Sequence, residues 1–224
     1  MTIPARSWRV AVGADETAAE WDPPPGPHAQ AVFVCAHGAG GSMRDRSILG
    51  LSAALRGRRI GVVRFNFIYR ARGSGRPDPM PRLVACLAAV VAAVRADLAP
   101  ARLLVGGRSM GGRAASVAVS EGMTCDGLLL LAYPLHPPGQ PEKLRAAHLP
   151  AVKTPVLCIN GTRDAFCERP LMDRTLATLG PNWRMHWLDG ADHGFHVLKR
   201  SGRTDTEVLA EVADESAAWL AAAC

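Results

Sequence analysis

The sequence predicts a doubly wound α/β fold, a mostly parallel sheet with helices on both faces. Short β-branched apolar runs alternate with longer helical patterns, which is the signature of repeated βαβ units. The polar residues that break this alternation collect directly after four of the apolar runs, where the βα turns of a parallel sheet emerge on one edge. The 224 residues, 48% of them hydrophobic, suffice to bury one core and force no second one, so a single domain over residues 1–224 is expected.

The elements follow in order. A first strand is expected at residues 8–12, then a surface connection at 22–27 with three consecutive prolines. The run Ala-Val-Phe-Val-Cys-Ala at 31–36 reads as a strand apolar on both faces, and residues 44–55 as the helix after it. A strand at 60–65 precedes a helix at 82–98; that helix contains the longest apolar run, Leu83 to Val94, well short of the roughly 20 residues a membrane span needs. Residues 102–105 and 127–132 read as strands flanking a helix at 110–120. The proline-rich piece from Pro134 to Pro141 reads as a stiff loop. Strands at 155–159 and 184–188, with helices at 169–179 and 205–222, complete the pattern.

Composition excludes several function classes. The formal charge of +6 is spread along the chain, without the basic run or interleaved aromatics of a nucleic-acid surface. Neither a nucleic acid nor a membrane is expected as a partner. No apolar stretch in the first thirty residues resembles a signal segment, and a cytoplasmic location is expected. Cys35, Cys86, Cys125, Cys158, Cys167 and Cys224 show no metal-like spacing and read as free thiols. No glycine-rich dinucleotide fingerprint follows the first strand and no metal ligands cluster, so neither cofactor nor metal is implied.

The most informative segment is Gly106-Gly107-Arg108-Ser109-Met110-Gly111-Gly112, directly after the strand at 102–105. Ser109 stands at the centre of a G-x-S-x-G motif, and a serine that attacks a carbonyl needs a sharp strand-to-helix turn. Glycines two residues to either side relieve the crowding of that turn, the part assigned to Gly107 and Gly111. Other polar residues follow strand ends in the same way: His37-Gly38-Ala39-Gly40-Gly41 after 31–36, Asn160-Gly161-Thr162-Arg163-Asp164 after 155–159, and Asp189 to Phe195 after 184–188. The chain order Ser109, Asp164, His193 is that of a nucleophile, an orienting acid and a base.

On these motifs the chain resembles the α/β-hydrolase superfamily over nearly its whole length. The elbow, the segment Arg64-Phe65-Asn66-Phe67, the segment Tyr133 to Gly139 and Gly161-Thr162-Arg163-Asp164 together resemble the compact, dienelactone-hydrolase-like group that includes relatives of testis-expressed protein 30. The resemblance implies an α/β-hydrolase fold. It also implies Ser109 as nucleophile, His193 as general base and Asp164 as the group that holds the imidazole tautomer. An oxyanion would be met by the backbone N–H of Met110 and that of Ala39 or Gly40. Asp189 and Asp192 stand as alternative acids, although both suit hydrogen bonding to their own loop. His186 falls on a strand, His196 could open a helix, and His37 suits shaping its own turn.

Few residues separate the strands at 127–132 and 155–159, so a minimal cap and an open site are expected. His136 in that loop either lines the pocket mouth or is solvated. Arg70, Arg72 and Arg76 follow the strand at 60–65 and either form a positive rim beside Ser109, selecting an anionic substrate, or are solvated. The expected activity is hydrolysis of a carboxylic ester, thioester or lactone through an acyl-enzyme, with a small acyl compound as partner. A non-catalytic binding or scaffold protein on the same fold, or a serine peptidase or acyltransferase, is the alternative.

Overall fold

The computed structural model describes residues 4–223. Eight strands form one sheet in the order β1-β2-β4-β3-β5-β6-β7-β8. They are β1 (Arg6–Val12), β2 (Asp15–Asp22), β3 (Ala31–Ala36), β4 (Ile60–Phe65), β5 (Leu103–Arg108), β6 (Gly127–Leu131), β7 (Val156–Gly161) and β8 (Trp183–Leu188). From β4 through β8 the neighbours are parallel, while β1–β2 and β2–β4 pair antiparallel. The helices are α1 (Arg46–Arg56), α2 (Ile68–Ala71), α3 (Met80–Leu98), α4 (Met110–Ser120), α5 (Arg169–Leu176) and α6 (Asp205–Ala223).

Strand β3 shows why its sequence is apolar throughout. Val32, Val34 and Ala36 pack into the layer that holds α3 and α4, while Ala31, Phe33 and Cys35 pack into the layer that holds α1 and α6. Both faces are dry, so no polar alternation survives. Cys35 and Cys158 are small hydrophobes in this setting; burial pushes the Cys35 thiol up to about 12 and raises that of Cys158 as well. Cys35, Cys86, Cys125, Cys158 and Cys167 are free, and Cys224 lies outside the described residues.

Strand β2 departs from the sequence expectation. It forms a hairpin with β1 through the two-residue loop Gly13-Ala14, with Gly13 at φ 62°. Thr17, Ala19 and Trp21 turn inward between the outward Glu16, Ala18 and Glu20, an alternation with too few β-branched residues to read as a strand. The stretch read as a surface connection is partly interior, because Asp22 ends β2 and Pro23 and Pro24 are buried. Arg64 on β4 is 5% exposed; its guanidinium pairs with Glu20 and Asp22 on β2 and donates to Met43 O, welding the antiparallel edge to the loop after β3. Strand β5 runs three residues past its expected end, through Gly106 and Gly107 to Arg108. The carboxyl ends of β3, β5, β7 and β8 lie on one edge, with that of β6 between β5 and β7.

Among the described residues no helix is long and apolar enough to cross a membrane.

Candidate active site

Ser109 caps α4 with φ 51° and ψ −117°, a backbone conformation that a non-glycine residue holds only when its surroundings impose it. The imposition comes from close packing. A Cβ on Gly107 would stand 2.2 Å from Ala36 O, and one on Gly111 would stand 2.5 Å from the same oxygen. Both glycines therefore let β5 and α4 close on the end of β3, and Ser109 N donates to Leu131 O at 2.9 Å to complete the corner.

Ser109 Oγ lies 2.9 Å from His193 Nε2, and His193 Nδ1 lies 2.9 Å from both carboxylate oxygens of Asp164. Because an ionised carboxylate only accepts, Nδ1 carries the hydrogen and Nε2 is left to accept from the serine hydroxyl. Asp164 is 4% exposed yet well satisfied. It also accepts from Asn160 Nδ2 at 3.1 Å and from Phe166 N at 2.8 Å. The Phe166 ring stacks on the imidazole with centroids 4.3 Å apart.

Neither the Asp189 nor the Asp192 carboxylate is a hydrogen-bond partner of the His193 ring, whose partners are Asp164 and Ser109. Asp192 Oδ1 accepts from the N–H groups of Gly194 and His196, which shapes the histidine loop, and Asp189 takes the Thr162 hydroxyl. His186 bonds Glu211 from strand β8, and His196 pairs with Asp205.

The loop 37–45 after β3 closes the other side of the serine. His37 donates from Nδ1 to Gly38 O at 2.8 Å and accepts Phe67 N–H at Nε2, so burial, which pushes its pKa down, keeps a neutral ring shaping its own turn. Met43 N donates to Asn66 Oδ1, and Ser42 N donates to Asp45 Oδ2. Gly38 packs on the elbow, where a Cβ would meet Ser109 Cβ at 3.6 Å. Met110 is the first residue of α4, so its N–H has no acceptor within the helix; its side chain packs against the core. Ala39 and Gly40 are exposed, and Ala39 lines the same cavity as Ser109. The Tyr69 phenol lies against Gly38 O and the Gly40 amide; burial raises its pKa, and that amide opposes the rise.

These groups surround a cavity of about 270 Å³, lined by Gly38, Ala39, Ser109, Phe166 and His193 among others. Arg70, Arg72 and Arg76 are not part of that lining. After β4 the chain folds into α2, held by Tyr69 N donating to Asp78, and Arg72 turns from it to the β1–β2 edge. There Asp15 binds Arg72 and Arg82; Arg70 is half-buried and acts on His37 and Tyr69 only through space, and Arg76 is exposed. His136 is likewise neither a pocket-mouth residue nor a solvated one. It is 1% exposed, and its Nε2 accepts Glu168 N–H, tying the loop before β7 to the segment that carries Asp164 and Phe166.

Three further residues, outside the motif roles, shape the site. Asn160 and Phe166 hold Asp164 and His193 as described. Arg108 donates from Nη2 to His193 O at 2.7 Å and lies 5.8 Å from the Phe195 ring centroid, with burial pushing its pKa down. A buried asparagine ending an apolar strand, and an arginine between strand and elbow, were the available signals.

The model of the alpha/beta hydrolase domain matches residues 29–221. The chain belongs to that family. Solved structures share the α/β-hydrolase fold across nearly all of it. A lidless α/β serine hydrolase from Xanthomonas campestris superposes with a TM-score of 0.78 at 22% identity, over 98% of this chain and 97% of that one. An α/β serine hydrolase homologue from Coxiella burnetii gives 0.76 at 18% identity, over 94% and 96%. A dienelactone hydrolase from Anabaena variabilis gives 0.72 at 21%, over 98% of each chain. The α/β-hydrolase domain seen here carries only a short 3₁₀ turn, Leu149–Ala151, between β6 and β7.

Proposed function

We propose that this α/β hydrolase is a serine hydrolase that cleaves a small carboxylic ester, thioester or lactone through an acyl-enzyme on Ser109. The observation that carries this reading is the unbroken chain of contacts, each 2.9 Å long, from Ser109 Oγ through His193 to Asp164. His193 Nε2 takes the hydroxyl proton as Ser109 Oγ attacks the carbonyl, and the imidazolium formed is stabilised by Asp164. The tetrahedral oxyanion accepts from the N–H of Met110 and from that of Ala39 or Gly40. His193 then returns its proton to the leaving alcohol, thiol or hydroxyl end of the lactone, and the C–O or C–S bond breaks. Water, deprotonated by His193, releases the acid and restores the serine.

The similarity to serine hydrolases and a dienelactone hydrolase supports this chemistry as an analogy of fold. Purified protein and its Ser109→Ala variant, assayed against a panel of p-nitrophenyl esters, acyl-CoA thioesters and lactones, test it. Turnover of one class by the wild type and its loss in Ser109→Ala is expected. Equal rates in the two proteins would show that the serine is not the nucleophile, and a fully inert wild type that binds small ligands would favour a binding protein.

A further inference from the structure

The cavity at Ser109 adjoins a second, larger one of about 690 Å³ between α1, α6 and the loop 194–196, and Asp45, Ser47 and Arg108 line both. Its apolar wall includes Leu51, Phe195 and Leu209. Its two carboxylates and two arginines are not paired with one another. Of the two carboxylates in the lining, Asp45 is held by the backbone N–H and hydroxyl of Ser42, and Asp205 by Val197 N and the His196 ring. The two arginines, Arg46 and Arg108, form no ion pair among the described residues. Arg108 spends one N–H on His193 O, and its buried Nε has no partner. Asp192, Asp164 and Asp45 act on it only through space. Arg46 is exposed, whereas Arg108 is half-buried, and a half-buried guanidinium with a buried, unpartnered Nε and no ion-pair partner is a costly feature unless a ligand supplies the missing anion.

We infer that the substrate's acyl part carries a carboxylate or phosphate at its far end, which enters this second cavity and pairs with Arg108 and Arg46 while the scissile carbonyl meets Ser109. The apolar wall accommodates the methylenes between the two ends. This rests on the acyl-enzyme reading above, and it moves the anion-recognising role from Arg70, Arg72 and Arg76 to arginines that line the cavity.

The test compares mono-p-nitrophenyl adipate with p-nitrophenyl hexanoate, which differ at the far end of the acyl chain. Charge-assisted hydrogen bonds predict a wild-type kcat/KM preference for the adipate ester of about 10- to 100-fold. The preference should fall toward unity in Arg108→Gln, fall part of the way in Arg46→Ala, and stay at the wild-type value in Arg72→Ala. Because the ratio is internal to each variant, a general loss of rate from a displaced His193 loop cancels. A wild-type ratio of one, or a ratio unchanged in both Arg108→Gln and Arg46→Ala, overturns the inference while leaving the Ser109 chemistry intact. Calorimetric binding of both esters to Ser109→Ala separates the two claims. Tighter binding of the adipate ester there, with neither ester hydrolysed by the wild type, upholds the anion site and strikes the acyl-enzyme reading; equal binding overturns the anion site.

Discussion

Asn160 Nδ2 donates to Asp164 Oδ2 at 3.1 Å and to Tyr133 O at 3.0 Å, while its Oδ1 accepts Tyr133 N–H. One buried carboxamide thus joins the ends of β6 and β7 and fixes the face that Asp164 turns to His193. Asn160→Ala removes a donor and strands the Tyr133 backbone groups. We predict a stability loss of about 1–3 kcal/mol. A fall in kcat of up to about 10²-fold should accompany it, as expected when a reacting group is misplaced, with KM little changed. Thermal denaturation and ester kinetics on the same preparation check both; an unchanged kcat would limit Asn160 to a structural role.

Asp164→Asn should keep the fold and lose on the order of 10⁴ in kcat, because an amide in that place favours the wrong imidazole tautomer. Asp192→Asn retains an oxygen for the N–H groups of Gly194 and His196, so its rate should stay near that of the wild type. If Asp192→Asn or Asp189→Asn brings the large loss and Asp164→Asn does not, the acid has been misassigned.

Ala39→Pro deletes one N–H beside Ser109. Where one oxyanion donor is lost, kcat falls by about 10² to 10³. A properly folded Ala39→Pro protein at full kcat would transfer the role to Gly40.

Acid should weaken the fold before its carboxylates titrate. His148 bonds the buried Ser116 hydroxyl, and burial lowers its pKa from 6.5 to about 4; His37 is lowered in the same direction for the same reason. A histidine depressed in the folded state binds its proton more readily unfolded, so its contribution is whole above 6.5 and is lost as pH falls toward 4. The Tm should therefore drop between pH 7 and pH 4.5, and His148→Gln should flatten that drop. An equal drop in the variant would place the acid sensitivity elsewhere.

The parallel core was legible because strands buried on both faces are written as continuous apolar runs, such as 31–36 and 127–131. Strand β2 was not, since its buried positions are only Thr17, Ala19 and Trp21, set between charged or small neighbours. Strand β5 continues through two glycines that resemble a strand end in sequence but are required where β3 and β6 crowd it. Ser109, Asp164 and His193 follow strand ends in an order that sequence preserves, and the structure brings them together. The directions taken by loops are not periodic. Arg72 folds back onto Asp15, His136 turns inward to Glu168 N, and Arg108, which has no role in the motif itself, reaches the His193 loop.

The central claim is that Ser109 is an activated nucleophile. Incubation with a fluorophosphonate followed by peptide mass spectrometry tests it without knowledge of the substrate. The account predicts a single phosphonyl adduct on Ser109, absent from Ser109→Ala and strongly slowed in His193→Ala. A wild-type protein that remains unmodified, or an adduct that persists on another residue in Ser109→Ala, would contradict it.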